Sequence, residues 1–385
     1  GAIYLTSAGR NIIEACYLGV DIDGITARPN GDGVFIDASF LNTIGGSDPG
    51  EGNLIIPRFS PVEGDPSNWF AGVRIKSQFA FENVIAGNLI GTTADGTTQL
   101  NPGSEGGGVG VLVLGSDGNV IGGDTPSPGQ APGNVIAGLD TGVIITQDEN
   151  SAAEENRIVG NLIGTNREGT APLPNTVGIT LEGLAPFTAI GDDAPGTRNV
   201  LVGNDGGINV TDFFYEDGKP AEGPIGSRIV NNLIGLDVTG TRALGAQLYG
   251  VAVGSGASLE NLSPGARGVS VGDEGAPPNF IAGHTNVGVL VFGTGHEVYE
   301  DPDASEEELA ASYVFIRNNR IGLNTSGEIV TTTSGERSAT GISVMGGHRA
   351  FIGYENAGNV IGGHNLGVEL QSEESIVAAN YIGTN

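Results

Sequence analysis

Apolar residues in this chain come in short alternating bursts opened by glycine. GVLV at Gly110, GVII at Gly142, GITL at Gly178 and GINV at Gly207 are four of ten copies of G-[VI]-x-[VIL]. The others open at Gly33, Gly72, Gly250, Gly288, Gly341 and Gly367, and Ala2-Ile3-Tyr4-Leu5 is a further copy with alanine in place of glycine. A two-residue period is that of a β-strand, and no helical stretch separates the bursts. Two shorter apolar runs follow each burst. In one kind of unit they stand apart, as NVIGG at Asn119 and NVIAG at Asn134; in the other they abut, as NRIVGNLIGT from Asn156. The two kinds alternate strictly, so that NLIGT at Asn88 returns at Asn161, 73 residues on.

Self-similarity on this scale is the mark of a solenoid. Three short strands per unit, without crossover helices, predict a coil in which each strand pairs with its equivalents above and below. The expected fold is therefore all-β, a right-handed parallel β-helix of eleven coils of two alternating types, and ten steps of ~4.8 Å make it about 48 Å long. Glycine at the corners permits a bend that other residues resist. Asparagine heads the third strand at Asn53, Asn88, Asn134, Asn161, Asn199, Asn232, Asn279, Asn319, Asn359 and Asn380. Facing inward, each amide is placed to bond the next along the stack. Cys16 holds that slot in the first unit and reads as a small core residue.

With its NxIxGN and GVxI coils, essentially the whole chain resembles the right-handed parallel β-helix repeat proteins of bacterial surfaces and secretions, the architecture of the pectate-lyase-like superfamily. The resemblance implies an extracellular or cell-surface location. It leaves activity open, because that superfamily holds polysaccharide lyases and hydrolases as well as adhesins and tailspikes. The whole of 1–385 is expected to form one continuous β-helix, with loop insertions at 56–71, 92–109, 212–226 and 296–312. Neither end carries a cap, which implies a segment of a longer rod, with stacking into a fibre as the second choice.

Charge narrows the partners. Forty-five acids against 16 bases leave a net charge of −29, which repels nucleic acid and anionic membrane and favours divalent cations. No apolar run approaches the ~18 residues needed to cross a bilayer, so no membrane insertion is expected within this segment. One cysteine excludes an internal disulfide.

Candidate chemistry is sparse on the strands. The outward positions of the first strand include Tyr4, Phe35, Arg74, Leu112 and Ile144, and those of the second include Thr43, Val84, Arg157, Ala189 and Arg228; neither set holds the carboxylate pair of a glycosidase. His284 and His364 follow equivalent third strands two units apart and are expected to line up, as repeated turn residues rather than a catalytic or metal pair. On the third strand, ten of eleven outward positions are apolar, among them Leu54, Leu89, Val135, Leu162, Val200, Leu233, Phe280 and Val360. A continuous apolar stripe is either a docking surface for another copy or another surface protein, or a face over which loops fold back.

Loops supply the remaining candidates. Acids gather after the first strand of the abutting units, at Asp148, Glu149, Glu154 and Glu155, at Glu216, Asp217 and Glu222, and through the insertion around Glu297–Glu308. Asp21, Asp23, Asn30 and Asp32 in DIDGITARPNGDG form a calcium candidate, although the spacing is not that of an EF-hand. Trp69, Phe70, Phe213, Phe214 and Tyr215 offer rings for stacking on sugars, or for sealing loops against the rod. The function expected from these features is a non-enzymatic structural or adhesive shaft; the alternative is a polysaccharide-binding or polysaccharide-cleaving protein.

Overall fold

The structure, a computed structural model, describes residues 1–59, 68–100, 107–212, 223–254, 266–293, 313–346 and 349–383. Among the described residues thirty-three strands fall into three parallel sheets of eleven. The first sheet runs from Ile3–Thr6 to His364–Gln371, the second from Ile12–Ile13 to Ile376–Val377, and the third from Tyr17–Leu18 to Tyr381–Ile382. Within each sheet every third strand in chain order is a neighbour. The chain therefore winds as a right-handed parallel β-helix, one coil per repeat unit, as the periodicity predicts. Register is kept from coil to coil: Val111, Val143, Ile179 and Ile208 pair in series on the first sheet.

The interior is a column of β-branched side chains. Ile85, Ile121, Ile158 and Ile190 from the second sheet and Ile90, Ile136, Ile163 and Ile234 from the third belong to one buried cluster with the inward positions of the first sheet. Glycine serves it in two ways. Gly164, the glycine of NLIGT, has φ +81°, and a Cβ there would stand 2.1 Å from the Val202 carbonyl of the next coil. That position needs glycine both for the bend and for the close approach. Gly142, which opens GVII, instead lies within its strand, where a Cβ would meet the Gly178 carbonyl at 2.5 Å. The GVxI glycines are thus packing positions, and the bends belong to the pentapeptide.

The asparagine column forms the expected ladder. From Asn53 to Asn380 each side-chain amide donates to the Oδ1 of the next, at 2.8–3.0 Å, through ten residues in ten successive coils. Cys16 starts the column: its backbone N–H donates to Asn53 Oδ1 at 2.9 Å. A second ladder, at the head of the second strand, joins Asn11, Asn42, Asn83, Asn119 and Asn156 at 2.8–3.1 Å. Among the described residues no helix is long and apolar enough to cross a membrane.

Candidate functional site

The third sheet's outer face is where the sequence places a docking stripe, and the structure covers most of it. Val135, Leu162, Val200 and Leu233 are wholly buried and Leu54 is 3% exposed, while Leu89, Phe280 and Val360 are half-buried. The cover comes from the chain itself. After the third strand of alternate coils the backbone turns back as a short hairpin, closed by the bridges Val20 to Ala27, Thr92 to Gln99, Thr165 to Pro172, Leu236 to Ala243 and Leu323 to Ile329. Leu236, Leu244 and Val330 from these hairpins join Val135, Leu162, Val200 and Leu233 in a second apolar core. From the opposite edge Gly129 lies directly on Leu162, where a Cβ would come within 2.4 Å of its side chain. The stripe is a second core, and the docking assignment is corrected to loops folding back.

Hairpins also lock to one another. The N–H groups of Ala94, Arg167, Val238 and Thr325 donate to the carbonyls of Gly24, Gly96, Gly169 and Gly240, one hairpin back, at 2.9–3.0 Å. This explains the two-coil period: one coil of each pair supplies the hairpin, and the other supplies the long corner between the second and third strands.

The cover is incomplete toward the first coils. A groove of about 600 Å³ opens there, with Tyr17, Leu54 and Leu89 on its floor. One wall is built by the corners at Asp48–Gly50 and 127–131, the other by hairpin residues Ala94, Arg167 and Glu168. Tyr17 is 50% exposed, and Asp48, Gln130 and Arg167 are exposed as well.

On the second sheet the outer face carries a charge network that a strand-only reading misses, because its acids stand just past the strands. Arg157 pairs with Asp192 at 2.6 Å; Arg228 reaches Asp193 at 2.5 Å, Asp273 at 3.1 Å and Asp192 at 3.9 Å; Arg317 reaches Asp273 at 3.2 Å. Burial opposes ionisation of Asp192, but the Asp193 backbone N–H and the Arg157 guanidinium outweigh it and hold the carboxyl below its ordinary value. Three aspartates and three arginines thus form one ion-paired cluster across neighbouring coils.

The calcium candidate is dispersed. Asp23 is taken up by its own turn, accepting from the N–H groups of Ile25 and Thr26 at 2.9 and 3.0 Å and from the Thr26 hydroxyl at 2.7 Å. Asp21 pairs with Arg28 at 3.2 Å. Asp32, buried, pairs with Arg74 at 3.2 Å and accepts from the Ala71 N–H at 2.9 Å, and Asn30 is exposed. Among the described residues no three His, Cys, Asp or Glu gather closely enough to hold one ion. DIDG is the turn of the first hairpin.

Trp69 is 8% exposed and packs with Ala71, Val109, Leu112, Leu114 and Ile144 on the first sheet's outer face. It seals a loop against the coil and presents no free ring to a sugar. Phe70 is half-buried beneath the Arg58 guanidinium, 5.4 Å from its centroid. Phe213, Phe214 and Tyr215 lie outside the described residues, as do Glu216, Asp217, Glu222 and the acids of the 297–308 insertion.

Three side chains elsewhere are strongly tuned by burial. His284 and His364 do line up, and they do so at the head of first-sheet strands rather than in loops; their Nε2 atoms stand 3.1 Å apart inside the coil. Burial lowers both, with the His364 ring adding to the effect at His284, which falls to about 3 while His364 falls to about 4. At neutral pH they are an uncharged hydrogen-bonded pair. Glu182 ends the strand Val177–Glu182 and is pushed up to about 7 by burial and by the Asp212 carboxylate.

No family model matches the chain, and no curated protein is significantly similar to it. Among solved structures it is similar to PfbA, a surface adhesin of Streptococcus pneumoniae, at 13% identity and a TM-score of 0.37, covering 96% of this chain and 81% of that one. A second structure of the same pneumococcal surface protein and adhesin is matched at 12% identity and a TM-score of 0.23, covering 99% and 91%. The sheets and ladders carry the assignment by themselves: the chain is a right-handed parallel β-helix protein of eleven coils.

Proposed function

We propose that the chain is a non-catalytic shaft of an extracellular or cell-surface protein, holding adhesive or anchoring parts at a fixed spacing. The observation that supports this most is continuity. Three sheets run unbroken through eleven coils, and one asparagine ladder ties Cys16 to Asn380. Repetition of this kind makes a stiff body whose stability is a sum of neighbour contacts. Asp32, Asp192, Asp193, Asp237 and Asp273 are all ion-paired. The net charge of −29 favours solubility at high local concentration.

The test is incubation with neutral and acidic polysaccharides, with assays for new reducing ends and for unsaturated products. The shaft assignment predicts neither. Product formation that disappears on replacing a single carboxylate would overturn it.

A second reading is favoured by one observation. Glu182, tuned upward and facing the charge of Asp212, has the character of a general acid beside a carboxylate. Glu182→Gln is therefore the variant to carry through the same assay, since a hydrolase built on this pair loses its activity with that change.

A further inference from the structure

We infer that the groove on the third sheet's outer face, between the corners of coils two and four and the hairpins of coils three and five, binds a neutral oligosaccharide chain. This goes beyond the shaft assignment and does not depend on it. Over coils four to seven the hairpins and corners meet and leave Val135, Leu162, Val200 and Leu233 without exposure. Over Leu89, beside the exposed Tyr17, they stand apart, and the gap is a groove of about 600 Å³, within the range of small-ligand sites.

The lining decides the ligand class. The floor is apolar, with the half-exposed Tyr17 ring at one end, a surface suited to the C–H face of a sugar ring. The walls bring a carboxylate (Asp48), an amide (Gln130) and a guanidinium (Arg167) to the same opening. Planar polar groups of this kind pair with neighbouring hydroxyls, accepting through one atom and donating through another. Among the described residues no hydrogen bond or ion pair takes up these side chains: Arg167 engages the structure through its backbone N–H on Gly96, and Gln130 and Asp48 likewise through their backbones. This contrasts with the arginines of the second sheet, which are committed to aspartates.

Charge excludes an acidic sugar. Asp48 and Glu168 outnumber Arg167 within the groove, on a chain carrying −29 overall. A purely hydrocarbon ligand would fill the floor but leave the three polar side chains facing nothing complementary. A neutral sugar chain satisfies both floor and walls.

Affinity electrophoresis of the intact chain tests this, in gels containing galactomannan, arabinoxylan, mixed-linkage β-glucan, glycogen or polygalacturonate. The expected result is retardation by at least one neutral polymer and none by polygalacturonate. Tyr17→Ala and Arg167→Ala should each weaken the retarding affinity about tenfold, the scale of one lost charged hydrogen bond or ring contact. Tyr354→Ala is the control, since Tyr354 is 54% exposed and lies outside the groove. Melting curves check that the variants remain folded. Absence of retardation in every neutral gel overturns the proposal, as does retardation that survives both groove variants, that Tyr354→Ala abolishes, or that polygalacturonate alone produces. Each of these leaves the shaft assignment standing, because a shaft needs no ligand at this groove.

Discussion

Replacing Asn161 with alanine probes the ladder where it is fully enclosed. Nδ2 of Asn161 donates to Asn199 Oδ1 at 3.0 Å and to the carbonyls of Ile121 and Val159 at 2.9 and 3.0 Å. Its Oδ1 accepts from both the backbone N–H and the Nδ2 of Asn134, each at 3.0 Å. The residue has no solvent exposure, so water cannot take its place. Asn199 Oδ1 keeps the backbone N–H of Asn161 at 3.0 Å, and the Asn134 amide keeps the Ile85 carbonyl at 2.7 Å. What the variant strands is the Asn134 backbone N–H and one amide hydrogen of the same residue. Two orphaned buried donors at about 1–3 kcal/mol each, with a small void added, put the loss near 4 kcal/mol. Urea unfolding followed by far-UV circular dichroism measures it, with hydrogen exchange locating the loosening to coils four to six. Asn150→Ala, at an exposed loop position, serves as the control. A loss for Asn161→Ala below about 0.5 kcal/mol, the level of an ordinary surface change, would refute the ladder's role.

Leu162→Ala should destabilise by about 2–5 kcal/mol as a core truncation, and Leu162→Asp by more; unchanged melting with altered sedimentation would restore the docking stripe instead. His284 is lowered from 6.5 to about 3 in the fold, so the unfolded chain takes up its proton first as the medium is acidified. Stability is then full above about pH 6.5 and falls toward pH 3, by roughly 3–5 kcal/mol. His284→Gln, which copies its stacked neighbour Gln247, should flatten that slope in acid unfolding curves. Arg228→Gln takes the cation from Asp193, while Asp192 keeps Arg157 and Asp273 keeps Arg317, and should cost about 1 kcal/mol at low ionic strength. That gap should narrow in 1 M salt, which screens the attraction that the variant removes.

The coil was legible because each of its parts has a local signature. Alternation in GVxI marks the strand, and the recurrence of NLIGT marks the corner. An asparagine at a fixed place in every unit marks a ladder, since polar side chains at inward positions need partners of their own kind. The second ladder was equally visible in NTIGG at Asn42, NVIAG at Asn83 and NVIGG at Asn119. What the outer face does was not legible from the strands alone. Leu162 and Leu233 look exposed by strand period, and only the hairpins decide otherwise. Those hairpins announce themselves as turns in DIDG, TADG and NREG, but a turn signal does not say over which face the chain folds. The charge network escaped for a related reason: Asp192, Asp193 and Asp273 lie beyond the strand ends, where period-two reasoning no longer assigns a face. Asp32 and Trp69 show the same limit, since burial against Arg74 and against Leu112 depends on neighbours from other coils.

Stacking itself is the central claim, and pulsed electron paramagnetic resonance measures it directly. Nitroxides at Thr43, Ala189 and Ile376, taken in pairs on a Cys16→Ser background, report the outer face of the second sheet at coils two, six and eleven. One coil adds ~4.8 Å, so the separations should be about 19, 24 and 43 Å, with the longest equal to the sum of the other two. Distances that do not add along one line would contradict the stacked helix and everything argued from it.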